Sequence, residues 1–280
     1  MHAWDFRRKG VGTVKLTRRE WLRLTSAATV GAVATLSGCE ESTGSPLEDP
    51  AEGHLVSRPG TPVFSPQLGL NELGIGRERD GLRFVPTTYR ADEALPLLVT
   101  LHGAGGDGFA GIQPFLNFAE TARVVVVSPD SREGSWDRRY GRFGADVSFI
   151  DNALSDTYLR CRIDRTRIAI AGFSDGASYA LSLGLTNGDL FDEVVAFSPG
   201  FAEPNVSRGK PYVFVSHGTT DSVLPIATTS RVIVPRLKTA GYPVTYQEFE
   251  GGHRIPTTIA AEAFQWLQNA WGIVSPPAIG

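Results

Sequence analysis

The sequence predicts a doubly wound α/β domain, a mostly parallel β-sheet with helices on both faces, and three observations carry that expectation. Apolar runs of strand length alternate with helical patterns from residue 67 onward. Several runs are apolar at consecutive positions, as strands covered on both faces require. The final helical pattern places Ile259, Ala263, Trp266, Leu267 and Ala270 on one face, an amphipathic stripe facing a core. Strand and helix in alternation argue for a parallel sheet.

Taken in order, strands are expected at 97–101, 124–128, 168–171, 194–197, 213–216 and 244–249, with an earlier one at 82–85. Helices are expected at 114–121, 146–159, 174–185, 228–240 and 257–271. In such sheets, ligand sites lie beyond the carboxyl ends of the strands, so the residues after each strand hold the chemistry. The connections after residue 174 are short, which predicts little or no cap domain over the site.

The chain has 280 residues, 41% hydrophobic and 20% charged, values of an ordinary globular protein. Wholesale disorder, a multi-span membrane protein and a collagen-like fibre are excluded. A formal net charge of −3 gives no basic excess for nucleic acid. Two cysteines, Cys39 and Cys161, cannot form a disulfide framework. Cys161 is expected to be a buried free thiol.

Charge is distributed unevenly. Residues 1–38 carry Arg7, Arg8, Lys9, Lys15, Arg18, Arg19 and Arg23 against Asp5 and Glu20, a net of +5. An uncharged, mildly apolar run follows at 24–36, shorter than the ~20 residues of a spanning helix. A basic segment before a short apolar run is the layout of an export signal. Thr17-Arg18-Arg19-Glu20-Trp21-Leu22-Arg23 resembles the twin-arginine export signature, and Leu36-Ser37-Gly38-Cys39 resembles a bacterial lipobox. The resemblance implies that 1–38 is a removed signal peptide and that Cys39 carries the lipid. Residues 39–66, with five prolines and five acids, then read as a flexible tether, leaving 67–280 as one domain. Without the signal the chain holds 20 basic and 28 acidic residues, a net of −8. The expected product is an extracytoplasmic lipoprotein, periplasmic or at the cell surface, a monomer or weak dimer that meets the membrane only through Cys39.

Gly172-Phe173-Ser174-Asp175-Gly176 follows the strand at 168–171 and precedes a helix. A G-x-S-x-G there presents its Ser on a sharp turn at the top of the sheet. The same Ser could instead only cap the helix. A Ser hydroxyl is a weak nucleophile, so it needs a base to take its proton and an acid to orient that base. Of five His, His2 lies in the signal, His54 in the tether, and His102 and His217 at strand ends. His253, in Gly251-Gly252-His253-Arg254-Ile255-Pro256, sits on a glycine-flanked loop and is the expected base. Asp221, in the turn after the strand at 213–216, is the expected acid. The chain order Ser, Asp, His is that of one hydrolase architecture. The run His102-Gly103-Ala104-Gly105-Gly106-Asp107-Gly108 can turn backbone N–H groups onto an oxyanion. The expected donors are Ala104 and Asp175, with Gly105 as a substitute. His102 reads first as a brace for this loop; His102, Gly105 and Trp136 are also candidate pocket walls. The Asp175 carboxylate is expected to point away from the hole, tolerated by the helix N-terminus.

The motifs LHGAGGDG (101–108), GFSDGA (172–177), SHGTTDSVLP (216–225) and FEGGHRIP (249–256) resemble the α/β-hydrolase superfamily over residues 82–271. They are most similar to small bacterial phospholipase/carboxylesterase and polyhydroxybutyrate-depolymerase or feruloyl-esterase enzymes. The resemblance implies hydrolysis of a small-molecule carboxylic ester through an acyl-serine, with no metal and no organic cofactor. Peptidase or thioesterase chemistry uses the same triad, and a non-catalytic binding lipoprotein could keep the fold. Gly103-x-Gly105-x-x-Gly108 also matches a dinucleotide fingerprint, with Asp130 as the ribose acid and a nicotinamide-dependent oxidoreductase as the implied protein. Pro114 and the loose stretch before it argue against that reading by delaying the helix, and it leaves Ser174, Asp221 and His253 unexplained.

Overall fold

A computed structural model describes residues 52–76 and 78–273. The expected signal peptide, Cys39 and the first part of the expected tether lie outside the described residues. Eight strands form one sheet in the order β1-β2-β4-β3-β5-β6-β7-β8. They are β1 Gly69–Glu72, β2 Gly81–Val85, β3 Leu95–Leu101, β4 Val125–Pro129, β5 Ile163–Phe173, β6 Glu193–Phe197, β7 Tyr212–Gly218 and β8 Val244–Phe249. From β4 to β8 every pairing is parallel, while β1 and β2 run antiparallel at one edge. The doubly wound α/β architecture is therefore the one the alternation predicts.

Both faces are covered. Along β3, Leu97, Val99 and Leu101 enter one apolar cluster and Leu98 the other, the period-two split of a pleated strand. Helices α3 (Ala145–Arg160), α4 (Asp175–Thr186) and α5 (Ser230–Thr239) supply the first cluster. Helices α1 (Gly108–Ile112), α2 (Leu116–Ala122) and α6 (Thr257–Ala270) supply the second. Burying each such Leu, Val or Ile contributes about 1.5–3 kcal/mol, which keeps the parallel strands in register beneath the loops that carry the site.

Three expectations change. The tether ends sooner than residue 66, because residues 53–66 lie against the body. Leu55 is fully buried, and its N–H donates to Asn187 Oδ1 at 2.8 Å. Asp151 Oδ1 accepts from Val56 and Ser57, Arg165 donates to the Pro59 carbonyl, and the Val63 and Phe64 N–H groups bond Leu159 O. All five acids of the tether precede residue 53, so the adherent part repels little. The first helix after the Gly-rich run begins at Gly108 rather than near Pro114, because Asp107 caps it by accepting the Ala110 N–H at 3.0 Å. Finally, β1 is an additional edge strand. It is four residues long and shows alternating exposure, too short to stand out in the sequence.

Candidate active site

The site begins with a packing constraint where β5 meets α4. A Cβ on Gly172 would lie 2.1 Å from the Gly176 carbonyl oxygen. One on Gly176 would lie 2.3 and 2.4 Å from the carbonyl oxygens of Leu101 and His102. Strand and helix meet this closely only if both positions are glycine. Between them Ser174 adopts φ 58° and ψ −119°, outside the relaxed regions for a residue with a Cβ. Such a conformation costs of order 1–3 kcal/mol and persists only when its surroundings hold it. Here the Ser174 N–H donates to Phe197 O at 2.9 Å, and its carbonyl accepts from Ala177 and Ser178 in the first turn of α4.

Two further strand-end loops meet this serine. His253 Nε2 lies 2.7 Å from Ser174 Oγ, and His253 Nδ1 lies 2.6 Å from Asp221 Oδ2. An ionised carboxylate only accepts, so Nδ1 carries the proton and Nε2 is left to accept from the Ser174 hydroxyl. Burial alone would raise the Asp221 pKa. The Leu224 and Val223 N–H groups on Oδ1, at 2.8 and 2.9 Å, and the imidazole on Oδ2 outweigh it and hold the carboxyl below its usual range. Asp221 is thus ionised at neutral pH with both oxygens engaged.

Behind Asp221 stands a residue with no role assigned from sequence. His217, at the end of β7, is fully buried. Its Nε2 lies 2.8 Å from the Leu224 carbonyl, an acceptor only, so Nε2 carries the proton and Nδ1 accepts from Ser230 Oγ at 2.7 Å. The same Nε2 lies 3.2 Å from Asp221 Oδ2. Burial lowers the His217 pKa, so the ring meets the carboxylate as a neutral donor. The sequence signal was a strand-end His four residues before the acid.

The loop after β3 supplies backbone donors. The N–H groups of Ala104 and Asp175 are donated to no protein acceptor among the described residues, and Asp175 opens α4, where N–H groups have no helical partner. Gly105 is not the substitute expected of it, because its N–H is taken by the Gly134 carbonyl at 2.6 Å. His102 is 1% exposed, so its lining role is withdrawn and the brace remains. Its Nε2 accepts the Ser131 N–H at 2.9 Å, which puts the ring proton on Nδ1 toward Gly103 O at 2.7 Å. Trp136 is likewise no pocket wall. It is fully buried against Tyr179 and His102, and its Nε1 donates to the His102 carbonyl at 2.8 Å.

The segment 131–137 therefore pins the Gly-rich loop and the start of α4 together. Ser135 Oγ and the Trp136 N–H both donate to Asp175 Oδ2, at 2.5 and 3.0 Å. The Asp175 carboxylate is engaged there, and these two hydrogen bonds, rather than the helix N-terminus, account for its burial. Sequence reasoning missed Ser131 and Ser135; the carboxylate beside a hole for negative charge was the one hint that a partner was needed. Asp130, the would-be ribose acid, accepts from the Gly108 and Asp80 backbones at 2.6 and 3.2 Å. It closes the glycine loop instead of reaching for a ligand. Cys161 is buried, and burial pushes its thiol up to about 12.

A mostly parallel sheet that brings Ser, His and Asp together on three strand-end loops has the architecture of the α/β-hydrolase fold. The family model for phospholipases and carboxylesterases matches residues 147–270, the stretch holding Ser174, Asp221 and His253. Solved structures share the fold. Esterase PE8 is 23% identical with a TM-score of 0.57 over 71% of this chain and 100% of its own. A CE1 ferulic acid esterase from Anaeromyces mucronatus is 18% identical, TM-score 0.53, over 78% and 95%. An S-formylglutathione hydrolase from Staphylococcus aureus is 15% identical, TM-score 0.55, over 68% and 92%. No curated protein sequence matches the chain.

Proposed function

We propose that the protein hydrolyses carboxylic esters in two steps through an acyl-serine. The observation that carries the reading is the unbroken line from Ser174 Oγ through the His253 ring to Asp221 Oδ2, with contacts of 2.7 and 2.6 Å. Ser174 Oγ attacks the ester carbonyl carbon while His253 Nε2 takes its proton. The Ala104 and Asp175 N–H groups receive the oxyanion, each worth about 3 kcal/mol of barrier. His253 then returns the proton to the leaving alcohol oxygen. In the second step it activates a water that releases the acid and restores Ser174. Asp221 fixes the imidazole tautomer and stabilises the imidazolium.

The connection from β6 to β7 spans 198–211 with no helix or strand inside it, so it builds no cap over Ser174. An uncapped site favours short acyl chains. Acetyl and butyryl nitrophenyl esters are hydrolysed faster than palmitoyl esters, and Ser174→Ala abolishes all three activities. A preference for palmitoyl overturns the substrate reading, and activity surviving in Ser174→Ala overturns the nucleophile.

The basic segment, Arg18-Arg19 and Cys39 support export and lipid anchoring, which place the enzyme outside the cytoplasm. A single acyl chain binds a membrane marginally, whereas two anchor it stably. Cys39→Ala moves the protein from the detergent phase to the aqueous phase, and Lys in place of both Arg18 and Arg19 blocks export. Unchanged partitioning of Cys39→Ala refutes the anchor.

A further inference from the structure

A cavity of about 390 Å³ opens beside the imidazole, lined by His253 itself, by Phe173 immediately before the nucleophile, and by Arg254 and Ile255 immediately after the base. Phe118 closes its apolar side, and Gln113 and Asn117 stand at its rim. The chemistry says which half of an ester belongs there. His253 must hand its proton to the leaving oxygen, so the alcohol lies against the imidazole and the acyl group on the other side of Ser174.

The walls say which alcohol. Phe118, Phe173 and Ile255 offer an apolar, partly aromatic surface, whereas the exposed side chains of Gln113, Asn117 and Arg254 are turned to solvent with no hydrogen bond to protein among the described residues. An amide both donates and accepts, and a guanidinium only donates. A set with both capacities matches hydroxyl groups, which also do both. A fatty alcohol would set methylenes against all three polar ends, and a carboxylate-bearing alcohol would use Arg254 but oppose the amide oxygens. The volume lies near the lower limit of small-molecule sites, about 300–1,000 Å³, and suits one ring rather than a chain.

We infer that this cavity binds the alcohol half of the substrate and that this half is a single-ring polyhydroxy alcohol, a sugar ring, held by Gln113, Asn117 and Arg254 over Phe118 and Phe173. The inference rests on the serine esterase reading. It makes the natural substrate a short-chain ester of a sugar hydroxyl.

The test uses one acyl group on two alcohols, acetylated methyl glucopyranoside and ethyl acetate, which give the same acetyl-Ser174. The wild-type enzyme is expected to prefer the sugar ester in kcat/KM. Replacing both exposed amides, Gln113→Leu with Asn117→Leu, is expected to lower the ratio of sugar-ester to ethyl-ester kcat/KM about tenfold, the loss of roughly two net hydrogen bonds. The inference is overturned by an unchanged ratio or by a wild-type enzyme indifferent to the sugar. It is also overturned by a tenfold change in the deacylation rate constant from single-turnover traces, because deacylation senses only the acyl half. Failure to form an acetyl-enzyme from either ester would instead overturn the underlying hydrolase reading.

Discussion

Asp221→Asn isolates the orienting role of the acid, because the structure decides how the new amide must sit. Oδ1 of Asp221 accepts two backbone N–H groups, from Val223 and Leu224 at 2.9 and 2.8 Å. An asparagine keeps its oxygen there, since the reverse orientation would set its NH₂ against two donors. Its NH₂ then faces His253 Nδ1, which now lies 2.6 Å from Oδ2. A donor facing Nδ1 forces the imidazole proton onto Nε2, the atom that must accept from Ser174. Loss of the correct tautomer in a triad lowers kcat by about 10⁴, or about 5 kcal/mol. The fold loses little. The same NH₂ opposes His217 Nε2, 3.2 Å from Oδ2, a cost of about 1 kcal/mol and hence a melting temperature lower by about 2–4 °C. Acetyl nitrophenyl ester turnover and thermal melts by circular dichroism measure both quantities. A kcat within tenfold of wild type in a folded variant would refute the reasoning, since His253 would then not depend on Asp221 for its tautomer.

Two other expectations test the surroundings. Glu193 is 4% exposed, receives the Trp271 indole N–H at 2.8 Å, and is pushed by burial up to about 7. Raised in the fold and ordinary in the unfolded chain, it costs nothing below about pH 4.5, and the cost grows to about 3 kcal/mol by pH 8. Glu193→Gln keeps an acceptor for Trp271, so denaturant melts should show it gaining stability over wild type as pH rises from 4.5 to 8; a pH-independent difference contradicts this. Gly176→Ala places a methyl against the Leu101 and His102 carbonyls, at 2.3 and 2.4 Å, costing about 1–3 kcal/mol. Because the displaced strand end carries Ala104, kcat should fall about 100-fold, and wild-type turnover would show that the close approach is not needed.

The strands were legible because those covered on both faces are apolar at consecutive positions, as in Val124-Val125-Val126-Val127. The candidate site side chains stood out in the sequence because a strand end followed by Gly, or a sharp turn between strand and helix, restricts which residues fit. What escaped was long-range. Residues 53–66 look like a solvated linker until Asn187 and Asp151 are seen bonding their backbone from about 95 to 135 positions away. Trp136 lies among arginines at a strand end and reads as a pocket wall, yet His102 and Tyr179 enclose it. Ser131 and Ser135 carry no local pattern; their roles exist only once the loop after β4 meets His102 at the end of β3 and Asp175 at the start of α4. The proposed export signal and lipid attachment at Cys39 are the reverse case, local motifs read from spacing alone.

The most direct test is covalent labelling of the purified protein with a fluorophosphonate, followed by intact mass and peptide mapping. The account predicts one adduct per chain, on Ser174, absent from Ser174→Ala and strongly slowed in Asp221→Asn. A native protein that takes no label, or takes it at another residue, would contradict the assignment of Ser174 as the nucleophile.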